Sequence, residues 1–171
     1  MKTRRTFTLY VIAVLGLALA ISATAALAQQ KSPLVGTWRV TSAQLLMSDT
    51  KEVLRPYGEH PIGYLQYSPG GHMVTFLSTG TPKRPAGAYT DADRADIFEG
   101  ILAAYAATYR VEGNKVIHHV VASWYPERIG RDQIRFFEVD GNRLTIKTEP
   151  TKALNWDGRE YVATLTFERV E

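Results

Sequence analysis

Two histidines stand side by side in the apolar run KVIHHVVAS, Lys115 to Ser123. A pair of this kind suggests metal ligation or acid–base chemistry, and the backbone beneath it decides which. The run is rich in β-branched residues and reads as a strand, where neighbouring side chains point to opposite faces. His118 then travels with Val116, Val120, Ala122 and Trp124, and His119 with Ile117, Val121, Ser123 and Tyr125. The two cannot share one ion. No further His or carboxylate falls at a spacing that would supply the roughly three or four ligands of a closed site, so no metal is expected. Both faces are largely apolar, so parity alone does not say which histidine points inward; Trp124 favours His118 inward and Ser123 favours His119 outward. For the inward histidine three roles stand open: a hydrogen-bonded structural residue, a ligand contact, or an acid–base group.

Arg135 is the second candidate. In DQIRFFEVD it shares a face with Gln133 and Phe137, against Ile134, Phe136 and Glu138. Pointing inward, its guanidinium needs a carboxylate or an anionic ligand group; pointing outward, it is a solvated charge. Tyr64 and Gln66 share one face of IGYLQY and could add polar points to an apolar cavity, or be ordinary strand patterning. His60 and His72 flank turns. The expected ligand-binding residues are Tyr64, Gln66, His118 and Arg135. Other chemistries lack their motifs: there is no G-x-S-x-G, no phosphate-binding Gly loop, no dinucleotide fingerprint and no H-E-x-x-H. Asp91, Asp93 and Asp96 do not match a calcium loop. With no cysteine, thiol catalysis and thiolate metal sites are excluded. No cofactor is implied.

The elements that must position these residues begin after an export leader. Lys2, Arg4 and Arg5 precede an apolar run from Leu9 to Ile21, and Ala26-Leu27-Ala28 forms an A-x-A cleavage site. Residues 1–28 read as a signal peptide, and Thr3-Arg4-Arg5-Thr6-Phe7 fits either the general secretory or a twin-arginine route. The expected destination is periplasmic or secreted, with no membrane span after cleavage. The leader holds three of the 20 basic side chains and none of the 17 acidic ones, so residues 29–171 balance at 17 against 17. The basic pI of about 9.2 belongs to the leader, and no nucleic-acid partner is implied.

Residues 29–171 form one domain, long enough to bury a core without disulfides. Period-two runs dominate: LVGTWRVTSAQLL, IGYLQYS, HMVTFLS, ATYRVEG, KVIHHVVASW, DQIRFFEVD, NRLTIKTE and REYVATLTFERV. In the first run, Trp38, Val40, Ser42 and Gln44 fall on one face, and Arg39, Thr41, Ala43 and Leu45 on the other. Pro69-Gly70-Gly71, Gly113-Asn114, Asp140-Gly141-Asn142 and Asn155 to Gly158 supply turns. One helix is expected from about Asp91 to Ala107, capped by Thr90. Its apolar stripe would be Ile97, Phe98, Ile101, Leu102 and Tyr105, packing on the barrel or closing its open end. About eight strands in short-turn succession predict an all-β, antiparallel, up-and-down barrel with one inserted helix, wide enough for side chains or one small ligand.

Gly36-Thr37-Trp38 at the start of the first strand resembles the lipocalin signature. LVGTWRVTSA, PIGYLQYSPGGHM, HHVVASWYPERIGRDQIRFFEVDGNRLTI and TFERV are similar to the bacterial and fungal lipocalin-like domain proteins of the calycin type. The resemblance implies that Trp38 plugs the closed end of the barrel and that Arg169 packs across it. The phase of the last strand agrees, placing Leu165, Phe167 and Arg169 on one face.

The expected function is that of an exported protein binding a small, mainly hydrophobic molecule in the barrel interior. One alternative is an isomerase or cyclase acting on a hydrophobic small molecule in the same cavity. Another is a structural or interaction domain whose barrel is filled by its own side chains. Ligand identity and oligomeric state are not encoded in any motif.

Overall fold

The computed structural model describes residues 32–80, 85–152 and 158–170; the export leader expected at residues 1–28 lies outside them. Alternating apolar and polar residues, β-branched or aromatic at about half of the buried positions, produce eight long strands. They are β1 (Gly36–Met47), β3 (Ile62–Tyr67), β4 (His72–Ser78), β5 (Ile101–Glu112), β6 (Lys115–Ser123), β7 (Asp132–Asp140), β8 (Arg143–Thr148) and β10 (Glu160–Arg169). Two-residue strands β2 (Val53–Leu54) and β9 (Thr151–Lys152) flank β1 and β10. Every pairing is antiparallel, and β1 pairs with both β3 and β10, so the sheet closes on itself. Closure leaves no long edge to attract another chain.

Short turns join the strands at one end. Glu112 pairs with Lys115 and Asp140 with Arg143, which leaves two-residue loops whose first members, Gly113 and Gly141, have φ of 61° and 55°. That positive φ matches strand twist in a tight hairpin and favours glycine. The opposite end carries the long connections: residues 48–61, the helix α1 (Asp91–Glu99) and the Pro126–Arg128 turn.

The short-turn end is packed solid. Leu34, Trp38, Leu144 and Val116 are fully buried, with Tyr67, Met73 and Phe167 within 2% of it. Each such side chain contributes about 1.5–3 kcal/mol on removal from water. The Trp38 indole N–H donates to the Leu34 carbonyl at 2.7 Å. The Arg169 guanidinium lies 4.0 Å from the Trp38 ring centre and donates to the carbonyls of Val35 and Pro33, each at 2.7 Å. An arginine on an apolar face thereby keeps its charge satisfied and seals the floor.

Two expectations are corrected. The strict alternation across β1 breaks between Val40 and Ser42, where a bulge inserts Thr41 opposite β10. Beyond it Ala43, Leu45 and Met47, not Ser42 and Gln44, face the core. The helix is shorter than its apolar spacing suggested. It starts with a Thr90–Asp93 capping box and stops at Glu99, capped by Gly100. Ile101 to Tyr105 instead form the start of β5, where Ala103 pairs with Leu77 and Tyr105 with Thr75. Pairing along β4 outweighs a helical spacing that would have left that flank of the sheet open. No residue of α1 is buried, and its firmest ring contact is Phe98 edge-on to Trp124 at 4.4 Å. The expected stripe therefore does not exist as one face.

Candidate functional site

The barrel interior holds a chain of three aromatic polar groups. β6 carries Val116, His118 and Val120 inward, and all three are 1% exposed or less. His118 Nε2 lies 2.9 Å from the Tyr67 hydroxyl on β3, and Nδ1 lies 2.9 Å from the Tyr105 hydroxyl on β5. Below them Tyr67 meets Tyr109 edge-on at 4.8 Å, and the Tyr109 hydroxyl donates to the Ser68 carbonyl. The imidazole thus stands on the packed floor and faces the long-loop end.

Burial and the nearby Arg135 charge push the His118 pKa from 6.5 down to about 3. The ring is neutral at physiological pH, with one N–H donor and one acceptor nitrogen. Tyr67 is 1% exposed, and among the described residues His118 is the one hydrogen-bond partner of its hydroxyl. Were Tyr67 to accept from the ring, its own O–H would be buried and unpaired, at a cost of about 1–3 kcal/mol. Tyr67 therefore donates to Nε2, and the Nδ1–H donates to Tyr105. The Tyr105 O–H is left over, and Tyr105 keeps solvent access. The relay leaves a hydroxyl hydrogen on Tyr105, a side chain that is only half-buried.

Arg135 faces the same space. It pairs with fully buried Val116 on one side and Thr148 on the other, in phase with Phe137 opposite Ile146. Its positive charge acts on Tyr67, Tyr105, His118 and Tyr161. One Nη donates to the Ile134 carbonyl at 2.8 Å and the other to Gln133 Oε1 at 3.2 Å. A guanidinium has five N–H groups, so three have no partner among the described residues. Among the described residues no carboxylate pairs with it. Arg135, Gln133, Tyr105 and Tyr161 are inward by strand register yet only half-buried. Arg128, on the turn above, adds a second positive charge that reaches Tyr57, Tyr105 and Tyr161.

Of the four residues expected to bind ligand, His118 and Arg135 meet in the interior. Tyr64 and Gln66 do not: both are exposed on the outer wall, because the inward phase of β3 belongs to Leu65 and Tyr67. They line a shallow outer groove of about 400 Å³ with Val74 and Phe76. That groove offers no charged group, and its buried Thr75 hydroxyl already donates to the Tyr64 carbonyl, so the convergent interior groups make the stronger candidate site. His119 lies outside, with Nδ1 2.9 Å from Asp132, which also pairs with Arg110. Parity separates the adjacent histidines, but it breaks higher on β6: a bulge at Val121 pairs Ala122 with outward Ala106 and Ser123 with inward Tyr105, so the expected sharing of one face by His118 and Ala122 is corrected. Among the described residues no cluster of three potential metal ligands occurs. Tyr67 and Tyr105 were missed. Tyr67 could have been found by following the phase of Leu65, whereas Tyr105 was assigned to the wrong element.

A family model for the lipocalin-like domain matches residues 35–170. No curated protein matches the chain.

Proposed function

The chain belongs to the lipocalin-like domain family, and from that premise we propose that it binds a small, mainly apolar molecule in the barrel interior. The observation that carries this reading is Arg135: an inward, half-buried guanidinium with no carboxylate partner among the described residues, beside the Tyr67–His118–Tyr105 relay. A barrel filled by its own side chains would leave such a charge desolvated and unpaired at a cost of several kcal/mol, so the partial exposure of this inward group supports an interior open to a ligand. Apolar walls supply affinity; Ala103, Leu102, Phe137 and Leu165 pack around the upper core.

Acid–base catalysis by His118 has less support. General acid–base groups work best with a pKa near the working pH, and burial holds this ring at about 3. The hydrogen-bonding role suits it better. We propose further that the protein is exported, on the strength of the leader over residues 1–28; N-terminal sequencing of the extracytoplasmic protein would then begin at Gln29.

The interior reading is tested with the neutral dye N-phenyl-1-naphthylamine. Its fluorescence should rise on binding the wild type. Ala103→Trp fills the interior opposite Leu77 and should abolish the rise. Ala106→Trp, on the outer wall opposite Val74, should leave it intact. The reverse pattern would move the ligand to the outer groove.

A further inference from the structure

The interior offers more positive charge and donor capacity than an apolar ligand uses. Three N–H groups of Arg135 are unassigned, the Tyr105 hydroxyl has a hydrogen left to donate, and Arg128 stands above them without a salt bridge among the described residues. The titratable groups around this point are Tyr57, Tyr67, Tyr105, Tyr161 and His118, all neutral at physiological pH. Burial raises the four tyrosines and lowers the histidine. Among the described residues no carboxylate balances these positive charges.

A surface arginine in that condition is ordinary. One directed into a barrel is not, because low-dielectric walls magnify an uncompensated charge. Gln133 orients the guanidinium through its amide oxygen without neutralising it. On β5, across β6 from that arginine's own strand, Tyr105 is held by a histidine whose other nitrogen is occupied, so its proton can only point away from the relay. The two donors come from different strands and meet in one space.

We infer that the ligand carries an anionic head, a carboxylate or a group of like geometry. Arg135 and the Tyr105 hydroxyl hold that head, with the apolar body against the barrel wall. The planar guanidinium matches the paired oxygens of a carboxylate. Arg128 at the mouth draws the anion in and faces solvent at the same time, so it contributes less to the bound state. The inference rests on the interior reading above and adds the charge of the ligand to it.

The test uses two dyes of nearly the same shape that differ by one anionic group: 1-anilinonaphthalene-8-sulfonate and neutral N-phenyl-1-naphthylamine. Affinities are measured for wild type, Arg135→Gln, Arg135→Lys and Tyr105→Phe, with Lys147→Gln on the outer face of β8 as a charge control. Arg135→Gln should weaken the anionic dye at least about tenfold and the neutral dye less than about twofold. Arg135→Lys should restore part of the loss, and Lys147→Gln should change neither dye. Equal affinities of wild type and Arg135→Gln for the anionic dye would overturn the anionic head and leave the interior reading standing. Loss of both dyes from Arg135→Gln and Tyr105→Phe alike would also overturn it, since the two residues would then shape the barrel and not bind charge. A wild type that binds neither dye would remove the interior reading itself.

Discussion

His118 and His119 stand on opposite sides of the barrel wall. His118 is 1% exposed between Tyr67 and Tyr105, while His119 is exposed and hydrogen-bonded to Asp132. One peptide bond separates a neutral relay from a surface ion-pair network.

The His118 environment gives stability a pH dependence. In the unfolded chain the imidazole takes up a proton as pH falls through about 6.5, whereas the folded ring stays neutral down to about 3. The unfolded state binds more protons between those values. Stability is therefore full above that window and falls as pH drops through it, by about 1.4 kcal/mol per unit. From pH 7 to pH 5 the wild type should lose about 2 kcal/mol more than His118→Gln in urea denaturation. Equal losses would mean that His118 is protonated in the folded barrel.

The two tyrosines of the relay should behave differently. Tyr67→Phe leaves a buried Nε2 acceptor unpaired and should cost about 1–3 kcal/mol of stability. Tyr105→Phe abuts open interior, where water can replace the hydroxyl, and should cost less. It should instead weaken the anionic dye by about three- to tenfold. Urea unfolding and dye titration of the same two variants would show the split, and an exchange of the two phenotypes would reverse the assigned direction of the relay.

At the floor, Arg169→Ala removes the stack on Trp38 and two carbonyl contacts. A loss of about 2–4 kcal/mol is expected by circular dichroism on urea titration. Arg169→Lys should recover only part, because an ammonium cannot fork to Val35 and Pro33 while lying flat on an indole. Full recovery would reduce the arginine to a generic charge.

Gly63 sits in β3 with φ 129°, and a Cβ there would collide with the Phe76 carbonyl on β4. Gly63→Ala should destabilise by more than about 2 kcal/mol. Gly87→Ala, where a Cβ meets nothing within 4 Å, should stay within about 0.5 kcal/mol of wild type. A tolerated Gly63→Ala would contradict the β3–β4 approach.

The sequence carried more of the fold than of the site, for physical reasons. Period-two patterning has only two phases, so strand existence and the separation of His118 from His119 follow from spacing alone. Which phase faces the core does not follow when both are apolar or both mixed. Tyr64 and Gln66 looked suited to a cavity by chemistry, yet buried Leu65 and Tyr67 hold the inward phase of β3. The bulge at Thr41 inverted the second half of β1 for lack of any glycine or proline to mark it. Tyr105 was lost because Ile101, Leu102 and Tyr105 satisfy a helical spacing, and only the pairing with β4 shows them to be strand. The relay joins β3, β5 and β6, positions 67, 105 and 118, and no local pattern connects residues so far apart.

The central claim is that a small molecule occupies the barrel interior, and backbone amide chemical shifts during titration with N-phenyl-1-naphthylamine test it most directly. The account predicts saturable changes at Ala103, Tyr105, His118 and Arg135, with little at Tyr64, Gln66, Val74 and Phe76. Changes confined to the latter four, which line the outer groove, would contradict it.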